Sequence, residues 1–168
     1  EAVEAPHAVA VSSATAGLHL GLDALGVGPG DEVLVPTLTF TSSAATIVHR
    51  GARPIIVDCE PDTLNMSVAD AARKWTPRTK AIVPVHLYGA PVDTAELVGT
   101  GVAVVEDAAQ AHGAVRHSTS AATAFSFYPT KNLGGIGDGG AVWTADSDLA
   151  RAVRRRRVLE LRGRAAGV

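Results

Sequence analysis

The sequence predicts an α/β domain, a three-layer α/β/α sandwich in which helices cover both faces of a mostly parallel sheet. Short runs rich in β-branched residues alternate along the chain with longer segments of helical periodicity, which is the pattern of that architecture. The chain has 168 residues, of which 46% are hydrophobic. This is enough for one domain with a sizeable core, and two complete domains are not expected.

The predicted strands are short apolar runs bounded by Gly, Pro, Asp or other polar residues, as strands commonly are. They are Ala8 to Val11, Glu32 to Val35, Pro54 to Val57, Ala81 to Val85, Val102 to Glu106, Ala122 to Phe127 and Ala141 to Thr144. Several of them are hydrophobic throughout, which is typical of strands that are buried on both faces of a parallel sheet.

Helices fit between most of these strands. In Thr15 to Leu25, the side chains of Leu18 and Leu22 share one face, and the glycines of Gly26 to Gly30 signal the end of the helix. The other predicted helices are Thr41 to His49, Val68 to Trp75 and Asp146 to Arg162.

Charge and composition exclude several classes of function. The net charge of -2 and the pI near 6.3 give no electrostatic case for nucleic acid or an anionic membrane, and Arg154 to Arg157 are expected to be the solvated end of a helix. No apolar run approaches the roughly 20 residues of a membrane span. The single Cys59 leaves no intrachain disulfide and no paired metal-thiolate motif, which favours a reducing cytoplasm. The expected partners are small molecules and copies of the chain.

Three segments carry the residues that point to a chemistry. Lys131 follows an apolar strand and precedes a glycine-rich turn, and the hydrophobic run beginning at Val104 ends in Glu106 and Asp107. Ser12 to Gly17 begin a predicted helix, whose first backbone N–H groups favour an anion. Strand ends are where α/β sheets bind ligands. A site for pyridoxal 5'-phosphate (PLP) needs three groups, which are an amine, a carboxylate and a helix start that binds phosphate.

With their surroundings, these segments resemble the DegT/DnrJ/EryC1/StrS family of PLP-dependent sugar aminotransferases, which belongs to the aspartate-aminotransferase superfamily, fold type I. The matching segments are Ser12 to Leu22, Gly28 to Val33, Pro36 to Phe40, Thr76 to Lys80, Pro84 to Gly89, Glu106 to Gly113 and Ser126 to Gly140. The resemblance implies that residues 1–168 are the PLP-binding large domain, without the family's N-terminal helix and its C-terminal small domain.

The resemblance also implies which residues carry the chemistry. Lys131 would form a Schiff base with the cofactor and later shuttle a proton. Spacing alone does not choose between Glu106 and Asp107 as the partner of the pyridine nitrogen, and the family register assigns Asp107. Gln110 matches a residue near the cofactor's 3-oxygen. His112 either lines the same cleft or is a structural histidine.

Further residues are implied to bind the cofactor. The backbone N–H groups of Ser13, Ala14 and Thr15 would hold the phosphate, although many relatives have glycine where Ala14 stands. Ser126 matches a second phosphate ligand. Phe40 corresponds to the aromatic residue that stacks on the pyridine ring. No metal is expected.

The implied reaction is a ping-pong transfer of an amino group from glutamate or glutamine to a ketone on a nucleotide-linked sugar or an aminocyclitol, catalysed by a homodimer. Lysine at position 131 favours transamination, because some relatives with histidine there catalyse dehydration. Two alternatives stay open. One is a truncated, non-catalytic paralogue that binds PLP weakly or acts only as an interaction partner, and the other is a PLP-dependent aminodehydratase-type synthase.

Two connections are shorter than this fold leads us to expect. Only Val92 to Gly101 stand where a crossover needs a dozen or more residues, and Arg116 to Ser120 replace a longer polar turn. Either these two connections are truly short in this protein, or they contain further residues that the numbering leaves out. We expect the second, with breaks in the backbone near Val98 to Thr100 and near Arg116 to Ser118.

Overall fold

The computed structural model describes residues 6–114 and 119–165, with side chains through residue 157. The strands are β1 His7–Val11, β2 Glu32–Pro36, β3 Arg53–Val57, β4 Thr79–Ile82, β5 Ala103–Asp107, β6 Ala122–Ser126 and β7 Gly140–Thr144. The helices are α1 Ala14–Ala24, α2 Thr41–His49, α3 Val68–Lys74, α4 Ala95–Val98 and α5 Ser147–Ala165, with a 3₁₀ turn at Leu87–Gly89. Within this described part, none of the helices combines the length and apolarity needed to cross a membrane.

The strands form one seven-stranded sheet in the order β1-β7-β6-β5-β4-β2-β3. β7 is antiparallel to its neighbours β1 and β6, and the remaining pairs are parallel. The mostly parallel sheet predicted from the sequence is therefore confirmed. Because β1 to β6 all run in one direction, their carboxyl ends meet along one edge of the sheet, where α/β proteins bind ligands.

Alternate residues of the inner strands face opposite helical layers. In β2, Val33 and Val35 belong to an apolar cluster that includes residues of α1, α2 and α5, whereas Leu34 belongs to a second cluster with α3 and α4. All three side chains are buried. This burial on both faces explains the continuous apolar runs of the sequence. It also confirms the three-layer architecture.

The helix α1 lies close against β6 and β7 because it carries a glycine at the contact. A Cβ atom added to Gly17 would lie 3.1 Å from Val142 Cγ2 and 3.3 Å from the Ala124 Cβ. The helix begins at Ser13, whose hydroxyl oxygen accepts a hydrogen bond from the Ala16 N–H at 3.1 Å. These contacts fix the start of α1 beside the carboxyl end of β1.

The first of the two short connections is continuous. The Thr100 N–H donates to the Leu97 carbonyl at 3.2 Å, so the backbone runs on from α4 into a hydrogen-bonded turn. The break expected near Val98 to Thr100 is therefore wrong. The crossover contains a helix of only four residues, α4. Of these four residues, Leu97 is the one that is fully buried, and it packs in the second apolar cluster. The break expected near Arg116 to Ser118 lies outside the described residues.

The basic run of α5 is less solvated than the sequence predicts. Arg157 donates to the Ala10 carbonyl at 2.7 Å, and Arg156 forms an ion pair with Asp23 at 2.7 Å. These contacts attach α5 to α1 and to β1, an edge strand whose outer carbonyls lack a neighbouring strand. The run therefore has structural partners, although its side chains remain partly exposed.

Candidate active site

A cavity of about 570 Å³ opens at the carboxyl edge of the sheet. The ends of β1, β2, β5 and β6, or the loops that follow them, contribute its walls because these strands are parallel. All eight residues predicted to form the site line this cavity, and they are Ser13, Ala14, Thr15, Phe40, Asp107, Gln110, Ser126 and Lys131. The structure thus brings together residues as distant in the sequence as Ser13 and Lys131.

The start of α1 forms one wall of the cavity. The N–H groups of Ala14 and Thr15 lie in the first turn, where the helix itself offers no acceptor. β7 packs directly against this turn at Gly140, where a Cβ atom would lie 2.6 Å from the Ser13 carbonyl carbon and 2.8 Å from the Ala14 nitrogen. The glycine therefore lets the sheet hold the helix start in place, and such a start suits an anion such as a phosphate.

We expect Gly140→Ala to weaken both the fold and the binding of a phosphate-bearing ligand. The added methyl group would meet backbone atoms, which cannot move aside, and overpacking of this kind costs about 1–3 kcal/mol. Thermal unfolding and titration with PLP measure the two effects, and we expect the PLP Kd to rise about tenfold or more. Gly139→Ala is the matched control, because its nearest neighbour, the Phe127 Cβ, is 3.6 Å away. Equal behaviour of the two variants would contradict the expectation.

The two acids at the end of β5 face opposite sides of the sheet, because side chains alternate along a strand. Glu106 is buried and does not line the cavity; it accepts hydrogen bonds from Ser120 Oγ at 2.6 Å and Thr123 Oγ1 at 3.1 Å, and its Oε2 lies 3.3 Å from Nε2 of the lining residue His86. Asp107 is only 4% exposed and lines the cavity. Of the two acids left open by spacing, Asp107 is the one beside the predicted ligand site.

The carboxyl group of Asp107 is surrounded by neutral donors. Its Oδ2 accepts from Ser43 Oγ at 2.8 Å and its Oδ1 from the Ala109 N–H at 3.1 Å. Burial raises the pKa of Asp107, while the bonds from Ser43 and Ala109 and the charges of His86 and Lys131 act in the opposite direction. No ion pair involves Asp107 within the described side chains. A buried carboxylate of this kind favours a ligand that brings a cationic N–H group.

Lys131 reaches the cavity from a tight turn that follows β6. Its backbone N–H donates to the Tyr128 carbonyl at 2.9 Å. The same turn needs a glycine at position 134, because a Cβ atom there would lie 2.4 Å from the Pro129 carbonyl oxygen. The glycines after Lys131 therefore allow the backbone to approach itself closely. The lysine side chain is half-buried in the cavity wall rather than free on the surface.

Three further predicted residues offer groups to a ligand. Phe40 is 76% exposed although it is aromatic, so its ring is open to stacking. Gln110 Oε1 accepts from the Tyr88 N–H at 2.7 Å, which leaves the amide NH₂ group as the available donor. Ser126 is buried at the end of β6 and accepts from the Tyr128 N–H at 3.3 Å, so its own hydroxyl proton remains available to a ligand.

Sequence reasoning missed several residues of the cavity. They include Thr39, Ser42, Tyr128, Thr130 and Asp138, together with Ser43, which bonds to Asp107 behind the wall. The run of hydroxyl residues after β2 is the sequence feature that could have indicated Thr39, Ser42 and Ser43. His112 lies instead between Phe125 and Phe127, with ring-centroid distances of 5.7 and 5.8 Å, and it is not part of the lining. The geometry therefore favours a structural role for His112 over a place in the cleft.

The model of the DegT/DnrJ/EryC1/StrS aminotransferase family matches residues 1–166. The chain belongs to this family. It is 45% identical over 157 residues to UDP-N-acetyl-3-dehydro-alpha-D-glucosamine 3-aminotransferase of Acidithiobacillus ferrooxidans, an alignment that covers 88% of this chain and 42% of the relative. The family is PLP-dependent, as the sequence predicts.

Solved structures agree with this membership. Streptomyces venezuelae DesV, determined in complex with a ketimine intermediate, superimposes with a TM-score of 0.87 at 44% identity, covering 91% of this chain and 44% of DesV. NtdA from Bacillus subtilis, determined with the bound cofactor PMP, gives a TM-score of 0.84 at 35% identity and covers 89% and 35%. The fold is therefore fold type I, as predicted. The chain spans less than half the length of these proteins.

The cavity fits PLP by its own chemistry. It combines backbone donors at the start of α1, a buried carboxylate without a cationic partner at Asp107, an amine at Lys131 and an uncovered aromatic ring at Phe40. Each of these matches one part of the cofactor: the phosphate, the ring nitrogen, the aldehyde and the ring face.

Proposed function

We propose that the protein is a PLP-dependent aminotransferase that moves an amino group from glutamate or glutamine to a keto group of a nucleotide-linked sugar or an aminocyclitol. The observation that carries the proposal is the joint presence, in one cavity, of the Lys131 amine and the Asp107 carboxylate. The UDP-linked sugar in the name of the 45% identical relative supports the choice of acceptor.

In this proposal, different residues of the cavity bind different parts of the cofactor. The N–H groups of Ala14 and Thr15 and the hydroxyl of Ser126 bind the phosphate, since the helix start favours negative charge. Phe40 stacks on one face of the ring. The Gln110 amide donates to the 3-oxygen, in an orientation set by its bond to the Tyr88 N–H.

The chemistry follows from two charged groups. When bound, PLP supplies an electron sink for negative charge at the carbon that bears the amino group. Lys131 would hold the cofactor by its amine, and its Nζ would carry the proton that Cα of the donor loses. Asp107 keeps the ring nitrogen protonated, because a carboxylate in a desolvated site strongly favours a positive partner. The acceptor half-reaction reverses these proton movements.

The proposal extends to the assembly. We assign residues 1–168 to the cofactor-binding large domain of a cytoplasmic homodimer. Phe40 and Tyr128 line the cavity, and Tyr88 bonds to the lining residue Gln110. Their aromatic side chains are exposed by 76%, 50% and 78%, in that order, which supports their coverage by a second subunit or by substrate.

The amino-donor half-reaction tests the function. We expect the PLP-loaded protein to lose its visible cofactor band when L-glutamate or L-glutamine is added, and to recover the band when a keto sugar linked to a nucleotide accepts the amino group. Absorbance spectroscopy follows both steps, and D-glutamate is the control that should leave the band unchanged. A protein that binds PLP but reacts with no amino donor would contradict transamination. Release of water from the acceptor without transfer of nitrogen would identify a dehydratase instead.

A further inference from the structure

The carboxylate of Asp107 is reached by a chain of hydroxyl groups that begins in the cavity wall. Ser43, in the first turn of α2, is completely buried and donates from Oγ to Asp107 Oδ2 at 2.8 Å. Thr39 Oγ1 lies 2.8 Å from the same Ser43 oxygen, and Thr39 lines the cavity. Three polar groups, of Thr39, Ser43 and Asp107, therefore form a continuous hydrogen-bonded row.

The direction of these hydrogen bonds depends on the charge of Asp107. An ionised carboxylate only accepts, so the single proton of Ser43 points to Asp107 and the proton of Thr39 points to Ser43. The alternative acceptor for Thr39, the Phe40 carbonyl, is farther away at 3.4 Å. Aligned donors polarise one another, and the row thus ends in its strongest donor at the carboxylate. A proton on Oδ2 of Asp107 would instead point to Ser43 and reverse the row.

The Ser43 bond also fixes the plane of the carboxyl group. Ser43 occupies Oδ2 and the Ala109 N–H occupies Oδ1, so each oxygen has one protein donor and keeps one acceptor position. Without Ser43 the carboxyl group could rotate about its bond to Cβ. A ring N–H group placed in the cavity needs a carboxylate that holds one orientation, because geometry errors of about 1 Å cost large factors in rate.

We propose that Ser43 is a positioning residue that keeps Asp107 ionised and directed at the ring nitrogen of the cofactor. The proposal rests on the proposed function for its catalytic consequence, and on the geometry alone for its effect on Asp107. Ser43 does not line the cavity, and it acts only through the carboxylate.

The test compares Ser43→Ala with Ser43→Thr, which restores the hydroxyl, and with Thr46→Val. Thr46 is equally buried on the same helix, but its hydroxyl donates to the Ser43 carbonyl at 3.1 Å instead of to Asp107. Thr46→Val therefore removes a buried hydroxyl from α2 without removing a donor from the carboxylate. Thermal unfolding of each variant shows whether it folds.

The first readout needs no cofactor. The carboxyl ¹³C signal of Asp107, assigned by its loss in Asp107→Asn, is titrated with pH in the cofactor-free protein. We expect Ser43→Ala to raise the pKa of Asp107 above the wild-type value, because a donor to the charged form is lost. Ser43→Thr should return toward wild type, and Thr46→Val should match it. An Asp107 titration that is the same in Ser43→Ala and wild type would overturn the proposal.

The second readout is the half-reaction with the amino donor. Loss of a hydrogen bond to a charged group should lower kcat by about ten- to a hundredfold, with little change in KM. An equal loss in Thr46→Val would show a general effect of α2 and would also overturn the proposal. If Ser43→Ala shifts the Asp107 titration but the wild-type protein transfers no amino group, the role of Ser43 stands and the proposed function is wrong.

Discussion

Replacing Lys131 with alanine should abolish covalent attachment of PLP and lower the rate of the amino-donor half-reaction by on the order of 10⁴-fold, because both the anchoring amine and the proton carrier are lost. Borohydride reduction followed by peptide mass spectrometry measures the attachment. The chain offers a limited choice of sites, since lysine occurs only at positions 74, 80 and 131. In the wild-type protein the reduced cofactor should be found on Lys131 alone.

Lys80→Ala is the matched control for this experiment. Lys80 is an exposed residue of β4 and is not part of the cavity lining, so its removal should leave attachment and rate unchanged. Lys74 is held outside the cavity by its ion pair with Asp70 at 2.8 Å. Reduced cofactor on Lys74 or Lys80 in the wild-type protein, or full attachment in Lys131→Ala, would refute the assignment of Lys131.

An element of the fold could be predicted where neighbouring residues in the sequence determine its structure. Strands such as β2 and β5 were found because their burial on both faces leaves continuous apolar runs. The helix α4 was missed because four residues are too few to establish a helical period. The antiparallel direction of β7 was missed, although the connection from β6 to β7 contains no crossover helix and such a connection favours an antiparallel pair.

The site shows the same division between local and distant causes. Asp107 ends a strand and Lys131 follows one, so their positions at the ligand edge could be inferred from the sequence. Which of Glu106 and Asp107 faces the cavity depends on the face of β5 that each occupies, and spacing along the chain carries no information about it. The bond between Ser43 and Asp107 joins residues that are 64 positions apart, and no motif links them.

Asp107→Asn should lower the rate of the amino-donor half-reaction by about a hundredfold or more, equivalent to roughly 3 kcal/mol, because the ring nitrogen loses the charge that keeps it protonated. Binding of the donor should change far less than kcat. Glu106→Gln is the matched variant, since it neutralises the neighbouring acid on the other face of the sheet. A larger loss of rate in Glu106→Gln than in Asp107→Asn would transfer the role to Glu106.

The same substitution should have the opposite effect on the stability of the cofactor-free protein. Burial raises the pKa of Asp107 above its ordinary value of 3.8. A group with a raised folded-state pKa stabilises the fold fully below its unfolded pKa, and this stabilisation is lost as the pH rises through the folded value. Asparagine never ionises, so Asp107→Asn should be more stable than wild type at neutral pH.

Denaturant unfolding of both cofactor-free proteins, at a series of pH values from about 4 to 8, measures this difference. We expect the advantage of Asp107→Asn to shrink as the pH falls toward the ordinary pKa of the acid, because both proteins then carry a neutral side chain at position 107. PLP should reverse the order at neutral pH, since its ring N–H⁺ pairs with the wild-type carboxylate and binding adds stability to the folded state. If the cofactor-free wild-type protein is more stable than cofactor-free Asp107→Asn at neutral pH, the ionised Asp107 stabilises the fold itself, and its role is not to wait for a cationic ligand.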